Sequence, residues 1–273
     1  MKPTIHPHDN ANANANANAN ANANERHNTM NDTKPTIVLI HGAFADASGY
    51  AGIIGRLEAE GYPVVAPPNP LRGLTSDADS IRTRVAAIDG PVVLVGHSYG
   101  GAVMGAVAAG LTNVIGQVYL AAFGLDVGEN CLAIQEGYPV SLLATENAPT
   151  SYDAPGAPGG PDLYIKEERF REVFAGDSSV ATARAMFATQ RPLAAFAFTE
   201  AATVRGWDTT PTWYLVSTED NSIPPKLQEF MAARMNAHTE RIEASHTAFV
   251  AHPESVALFI QNAVEDFTGR SAA

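Results

Sequence analysis

Residues 91–101 read PVVLVGHSYGG, and this stretch decides how the chain folds. Val92 to Val95 form a strand-favouring run without polar interruption, and the small residues from Gly101 onward favour a helix. A G-x-S-x-G sequence between a strand and a helix is typical of a tight turn that exposes a serine at its apex. Ser98 is therefore a candidate nucleophile. On this stretch alone, a glycine-rich turn with an incidental serine stays open as the alternative.

The same pattern of strand and helix repeats along the chain. Short apolar runs predict strands at residues 36–40, 63–66, 92–95, 118–121, 213–216 and 241–244. Helical patterns lie between most of them, at residues 50–60, 77–88, 101–111, 225–235 and 253–267. This alternation predicts an α/β fold with a doubly wound, mostly parallel sheet.

The alternation breaks once, after the strand that ends near Phe123. Residues 124–212 are too many for a simple crossover. They contain helical patterns at 166–174, 179–189 and 193–202, and a loop rich in Pro and Gly at 147–161 that we expect to be mobile. We therefore predict a core made of residues 34–123 and 206–273, with a helical cap, residues 124–205, inserted over the strand ends.

Composition restricts the function classes. The chain has 273 residues and a net charge of -12, which argues against nucleic acid and anionic membranes as partners. One cysteine, Cys131, allows no internal disulfide, and we expect it to fill the core. Residues 1–33 include an Ala-Asn alternation and predict a disordered, low-complexity tail. We recognise neither a signal peptide nor a transmembrane segment, so a cytoplasmic location is expected.

A serine nucleophile needs a histidine base and an acid that orients the histidine. His246 follows the strand predicted at 241–244, and the polar stretch STEDNSIP, residues 217–224, follows the strand at 213–216. The carboxyl ends of parallel strands meet at one edge of a sheet, and the order Ser, acid, His is the one that this architecture uses. The acid is Asp220 or Glu219, with Asp126 and Glu129 as a weaker alternative.

Four segments, IVLIHGAF, GHSYGG, STEDNSIPP and ASHTAF, resemble the α/β-hydrolase superfamily, and especially its branch of small serine esterases and hydroxynitrile-lyase-like enzymes. The resemblance covers roughly residues 35–267, and the cap matches least. It implies the α/β-hydrolase fold with a cap inserted after the family's sixth-strand position. It also implies Ser98 as nucleophile, His246 as base and Asp220 as acid, because the family's acid stands in a D-x-x-I-P setting.

The resemblance implies further site residues. The backbone N–H groups of Tyr99 and Ala43 are expected to form the oxyanion hole. The side chains of Ala43, Phe44 and Tyr99 should line the substrate pocket, and the cap phenylalanines, among them Phe187 and Phe196, are candidates to line it as well. We expect His41 and His97 to serve packing and hydrogen bonding rather than proton transfer.

Departures from relatives narrow the activity. Enzymes that process halides and epoxides place an aspartate at the elbow, which Ser98 argues against. Hydroxynitrile lyases typically carry Thr where Gly42 stands and Lys after the catalytic histidine, where this chain has Thr247. We therefore expect hydrolysis of a carboxylic ester, lactone or thioester of a small, largely apolar molecule through an acyl-enzyme, without metal or other cofactor. Perhydrolysis, lyase activity and a non-catalytic ligand receptor are the alternatives, and the oligomeric state is open.

Overall fold

The computed structural model describes residues 34–152 and 160–269. The predicted tail, residues 1–33, and part of the predicted mobile loop lie outside this range. One sheet contains six strands, all pairing in parallel, in the order β2-β1-β3-β4-β8-β9. Its strands are β1 (Thr36–Ile40), β2 (Val64–Val65), β3 (Val92–His97), β4 (Val114–Leu120), β8 (Thr212–Ser217) and β9 (His238–Ile242). The mostly parallel sheet predicted from the sequence is thereby confirmed.

Helices cover both faces of this sheet because its central strands are apolar on both sides. In β1, Ile37 and Leu39 pack on one face, and Val38 and Ile40 pack on the other. Two long helices cover the first face, Ala51–Ala59 and Pro253–Phe267. Three cover the second face, Leu74–Ala86, Tyr99–Ala108 and Pro225–Arg234. Within the described ranges, no helix has both the length and the apolar character needed to cross a bilayer.

The last strand differs from its prediction. The sequence predicts it at residues 241–244, whereas β9 spans His238–Ile242 and has mostly exposed or partly exposed residues. Within residues 34–152 and 160–269, β9 pairs with β8 alone and forms one edge of the sheet. An edge strand does not need a continuous apolar run. The predicted strand was therefore offset from β9 toward Ala244, a buried residue that lies beyond the end of β9.

The segment between β4 and β8 contains helices at Leu142–Glu146, Phe170–Phe174, Val180–Ala188 and Ala195–Thr199. It also contains a small antiparallel sheet that the sequence did not predict, made of β5 (Asn147–Thr150), β6 (Asp162–Ile165) and β7 (Leu193–Ala194). Strands of two to four residues are too short to carry a recognisable alternation. β5 therefore begins in the segment predicted as a loop, and β7 begins in a segment predicted as a helix.

The topology gathers the candidate residues at one edge of the large sheet. Ser98 follows β3, Asp220 follows β8 and His246 follows β9, so all three come after the carboxyl ends of parallel strands. Cys131 is buried and unpaired, and burial raises the pKa of its thiol, which makes it an unreactive part of the core.

Candidate active site

Ser98 lies at the strained turn that joins β3 to the helix Tyr99–Ala108. Its backbone has φ 54° and ψ -127°, which is an unfavourable region for any residue with a side chain. The carbonyl of Ser98 accepts hydrogen bonds from the amides of Gly101 and Phe123, at 3.0 and 3.1 Å. These bonds and the buried surroundings hold the strained turn.

Two glycines allow other chain segments to approach this turn. A Cβ atom on Gly42 would lie 2.6 Å from the Cβ of Ser98, and one on Gly100 would overlap the carbonyl oxygen of Ile40. Both distances are below normal contact, so a side chain at either position would force the backbone apart. The loop after β1 therefore lies directly against Ser98.

The Asp220 carboxylate is completely buried and accepts four hydrogen bonds. Its Oδ1 accepts from the amides of Ser222 and Ile223, at 2.6 and 2.9 Å. Its Oδ2 accepts from Gln228 Nε2 at 2.8 Å and from His246 Nδ1 at 2.6 Å. A buried carboxylate is stable only when its oxygens are well supplied with donors, and this one is.

The bond to Asp220 decides the tautomer of His246. Because Nδ1 donates to the carboxylate, Nε2 carries the lone pair of the neutral ring. This Nε2 is buried and has no hydrogen-bond partner within the described residues. The hydroxyl of Ser98 likewise has none in the described part of the chain. Asp220 and His246 are thus hydrogen-bonded to each other in the structure, whereas His246 and Ser98 are not.

His97 links the turn that carries Ser98 to the turn that carries His246. Its Nε2 donates to the backbone carbonyl of His246 at 2.9 Å, and the two rings lie 4.5 Å apart. Burial, and secondarily the proximity of His246, holds the pKa of His97 well below its ordinary value of 6.5. Burial also lowers the pKa of His41, whose Nε2 accepts from the amide of Asn69 at 3.0 Å. Both rings are neutral hydrogen-bonding groups.

The backbone amide of Tyr99 comes directly after Ser98, and that of Ala43 comes after Gly42, which lies against Ser98. Tyr99 is the first residue of its helix, where an N–H has no acceptor within the helix. Ala43 follows Gly42, and neither amide has an acceptor within the described ranges. Both N–H groups are therefore free to bind an anionic oxygen.

The side chain of Tyr99 was expected to line the substrate pocket, but it packs in the core instead. It is buried, and its hydroxyl donates to Asp77 Oδ2 at 2.8 Å. Burial raises the pKa of the Asp77 carboxyl although three donors bind it. Tyr99 and Asp77 therefore form a polar contact inside the core, between the helices Tyr99–Ala108 and Leu74–Ala86.

Phe44 lines two cavities. The larger, of about 460 Å³, lies against the cap residues Tyr138, Leu143 and Phe198. The smaller, of about 330 Å³, lies against Met186 and Phe249. Neither is lined by Ser98 or His246.

The two cap phenylalanines proposed for the pocket lie elsewhere. Phe187 packs against Phe170 at a centroid distance of 5.7 Å and borders a separate groove. Phe196 is 47% exposed, whereas Phe198, two positions later, faces the larger cavity. Residues two apart on a helix point to nearly opposite sides, and the sequence offered no way to choose between the two.

The alternative acids are not at His246. Glu219 is exposed to solvent. Asp126 pairs with Arg205 at 3.0 Å, and Glu129 pairs with Arg234 at 2.6 Å. Gln228, which was not among the residues predicted for the site, donates to Asp220 Oδ2 from the helix after the acid loop. In the sequence, the one signal that Gln228 could bind the acid is its position in the helix predicted at 225–235, directly after the loop that carries the acid.

Comparison with known proteins gives consistent matches. A model described as the alpha/beta hydrolase family matches residues 37–257. The alpha/beta hydrolase nvfD of Aspergillus novofumigatus is 26% identical over 255 residues, which cover 84% of this chain and 96% of that protein.

Solved structures match at lower identity. Polyneuridine aldehyde esterase superposes with a TM-score of 0.73 and 21% identity, covering 84% of this chain and 99% of that chain. A pyrethroid hydrolase from Sphingobium faniae superposes with a TM-score of 0.67 and 24% identity, covering 87% and 98%. At identities of 21% and 24%, these superpositions show a shared fold and nothing beyond it.

Buried, neutral His97 makes stability depend on pH. In the unfolded chain its pKa returns to about 6.5, so below that pH the unfolded state binds a proton that the folded state does not. The free energy of unfolding therefore falls as the pH is lowered through this range. We predict that His97→Gln, which keeps an amide donor for the His246 carbonyl, reduces this loss by about 1.4 kcal/mol between about pH 7.5 and about pH 5.5.

Urea unfolding of both proteins at the two pH values measures this difference. Groups that the two proteins share cancel in the comparison. Equal losses in wild type and variant would show that His97 takes up a proton in the folded state.

Proposed function

The chain belongs to the α/β-hydrolase family, and on this premise we propose that it is a serine hydrolase that cleaves the carboxylic ester of a small, largely apolar molecule. Ser98 is the proposed nucleophile, His246 the base and Asp220 the acid that orients the base. Lactones and thioesters present the same carbonyl chemistry and belong to the proposed substrate class.

The buried pair of Asp220 and His246 is the observation that carries the proposal. It leaves Nε2 of His246 without a partner among the described residues and able to accept a proton, at the sheet edge where Ser98 stands on its strained turn. A buried polar nitrogen without a partner is costly unless a ligand or a reacting group uses it. In such enzymes the bond between serine and histidine is often absent until substrate binds.

The proposed reaction proceeds in two halves. In the first, Ser98 Oγ attacks the carbonyl carbon while its proton passes to His246 Nε2. The N–H groups of Ala43 and Tyr99 stabilise the negative oxygen of the tetrahedral intermediate. When this intermediate collapses, the bond to the alcohol breaks and His246 returns the proton to the leaving oxygen.

The second half releases the acid. A water molecule gives a proton to His246 and its oxygen bonds to the acyl carbon. The bond to Ser98 then breaks, and the serine oxygen recovers its proton from His246. Asp220 stays ionised throughout and stabilises the transient imidazolium.

The lining of the two cavities supports a largely apolar substrate that carries no negative charge. The larger cavity begins at Phe44, the residue after Ala43, and most of its wall is apolar. No lysine or arginine lines either of the two cavities among the described residues. A carboxylate or phosphate group on the substrate would find no cation there, so we assign these cavities to the hydrocarbon parts of an ester.

The relatives point in the same direction. The name of nvfD describes it as a hydrolase, and the solved structures include an esterase and a pyrethroid hydrolase.

The residue that follows His246 argues against lyase activity. Thr247 is buried, and its hydroxyl donates to the carbonyl of Phe174 at 3.1 Å, so it supplies no charge for a departing cyanide.

We predict that Ser98→Ala abolishes turnover of an activated aryl ester. The wild type should release a burst of aryl alcohol equal to the enzyme concentration, followed by a slower steady rate. The variant should show no burst and lose on the order of 10⁴-fold or more in kcat. Stopped-flow absorbance of the released alcohol measures both phases.

Ser80→Ala is the matched control, because Ser80 is exposed on the helix Leu74–Ala86. It should keep the burst and the rate of the wild type. Full turnover in Ser98→Ala would exclude Ser98 as the nucleophile, and absence of turnover in the wild type would favour a protein that only binds its ligand.

We further predict that Leu143→Trp shortens the substrate chain that the enzyme accepts, because Leu143 lines the larger cavity. The value of kcat/KM should fall about 10-fold or more for a six-carbon chain and change about 2-fold or less for a two-carbon chain. Two ester series, one varied in the acyl group and one in the alcohol, show which part occupies the cavity.

Leu258→Trp serves as control, since Leu258 is exposed on the helix Pro253–Phe267. Equal loss for short and long chains in both series would mean that the larger cavity does not bind substrate.

A further inference from the structure

Asp177 lies in the cap and binds the residue next to His246. Its Oδ2 accepts the backbone N–H of Ser245 at 3.0 Å, and its Oδ1 accepts the hydroxyl of Ser245. Ser245 is buried, and the side chain of Asp177 is 16% exposed. The carboxylate also contacts His252 Nε2 at 3.1 Å. Two bonds from one carboxylate to one residue fix the backbone on the N-terminal side of His246.

The same cap segment binds the residue on the other side of His246. The hydroxyl of Thr247 donates to the carbonyl of Phe174, and the ring of Phe174 lies 5.2 Å from the ring of His246. His246 therefore has a cap contact before it, one after it and one beside its ring. From the core, His97 Nε2 donates to the His246 carbonyl, and Asp220 accepts from His246 Nδ1.

The acid loop is bound to this segment as well. Ser222 Oγ donates to the carbonyl of Val173 at 2.9 Å, and Asn221 Nδ2 donates to the carbonyl of Glu172 at 3.0 Å. The last carbonyls of an α-helix have no acceptor role within the helix. The helix Phe170–Phe174 thus ends with its free carbonyls turned toward the two loops that carry Asp220 and His246.

From this arrangement we propose that Asp177 is a positioning residue for His246, through Ser245, and that residues 172–177 brace the Asp220–His246 pair. The inference rests on the proposed function, in which His246 is the base. Proton transfer depends steeply on geometry, and a displacement of about 1 Å costs on the order of 100-fold in rate. Loss of the two bonds to Ser245 should therefore reduce the rate of chemistry and leave substrate binding nearly unchanged.

The test compares Asp177→Ala, Asp177→Asn and Ser245→Ala in the full chain with an aryl ester. Asp177→Ala should lower kcat by about 10- to 100-fold with KM within about 2-fold. Asparagine can accept the Ser245 N–H with Oδ1 and donate to the Ser245 hydroxyl with Nδ2, so Asp177→Asn should keep kcat within about 3-fold. Ser245→Ala retains the backbone bond and should fall between them.

Asp162→Ala is the matched control. Asp162 is another cap carboxylate that pairs with a core residue, Arg72, and it does not bind the turn that carries His246. It should leave kcat within about 2-fold. An equal loss of kcat in Asp162→Ala would mean that general docking of the cap explains the effect of Asp177, and would overturn the proposal.

A readout without substrate separates this inference from the proposed function. The proton between His246 Nδ1 and Asp220 should give a far-downfield proton resonance in the wild type and in Asp177→Asn. It should broaden or disappear in Asp177→Ala, because the displaced ring exchanges that proton with water. An unchanged resonance together with unchanged kcat would exclude the positioning role. Activity that survives in Ser98→Ala would instead exclude the proposed function itself.

Discussion

The buried carboxylate of Asp220 is the interaction on which the arrangement of the site depends. Removing such a charge from water costs several kcal/mol unless donors surround it. Here the donors come from three elements: the acid loop itself, the helix Pro225–Arg234 through Gln228, and the turn after β9 through His246. The carboxylate therefore ties these elements together, and it leaves His246 only one nitrogen with which to act. The proposed role of His246 as the base thus follows from the hydrogen bonds that the buried Asp220 carboxylate requires.

The prediction of Asp220 rather than Glu219 has a physical basis in the structure. In the D-x-x-I-P pattern, the amides two and three residues after the aspartate turn back to its carboxylate, and Ser222 and Ile223 do so here. The pattern thus encodes a local geometry, which is why it could be read from sequence. The elbow at Ser98 was predictable for the same reason, since its glycines and its strained φ are local features. The central strands were predictable because they are apolar on both faces.

Features that depend on distant contacts could not be predicted in this way. Phe196 and Phe198 are alike in sequence, and only the packing of the cap decides that Phe198 faces the cavity. The strands of the cap sheet span two to four residues, so they gain their structure from pairing and not from pattern. Asp177 bonds a residue that is remote in sequence, and an acidic residue in a polar turn looks like a solvated surface group until the fold is known.

These contacts change how the cap is understood. A cap that only covered the strand ends could move aside to admit substrate. Residues 172–177 instead end a helix whose free carbonyls need donors, and the loops of Asp220 and His246 supply them. Lifting this part of the cap would leave those groups unpaired and would loosen the proposed base at the same time. We therefore expect residues 172–177 to stay against the core when substrate enters.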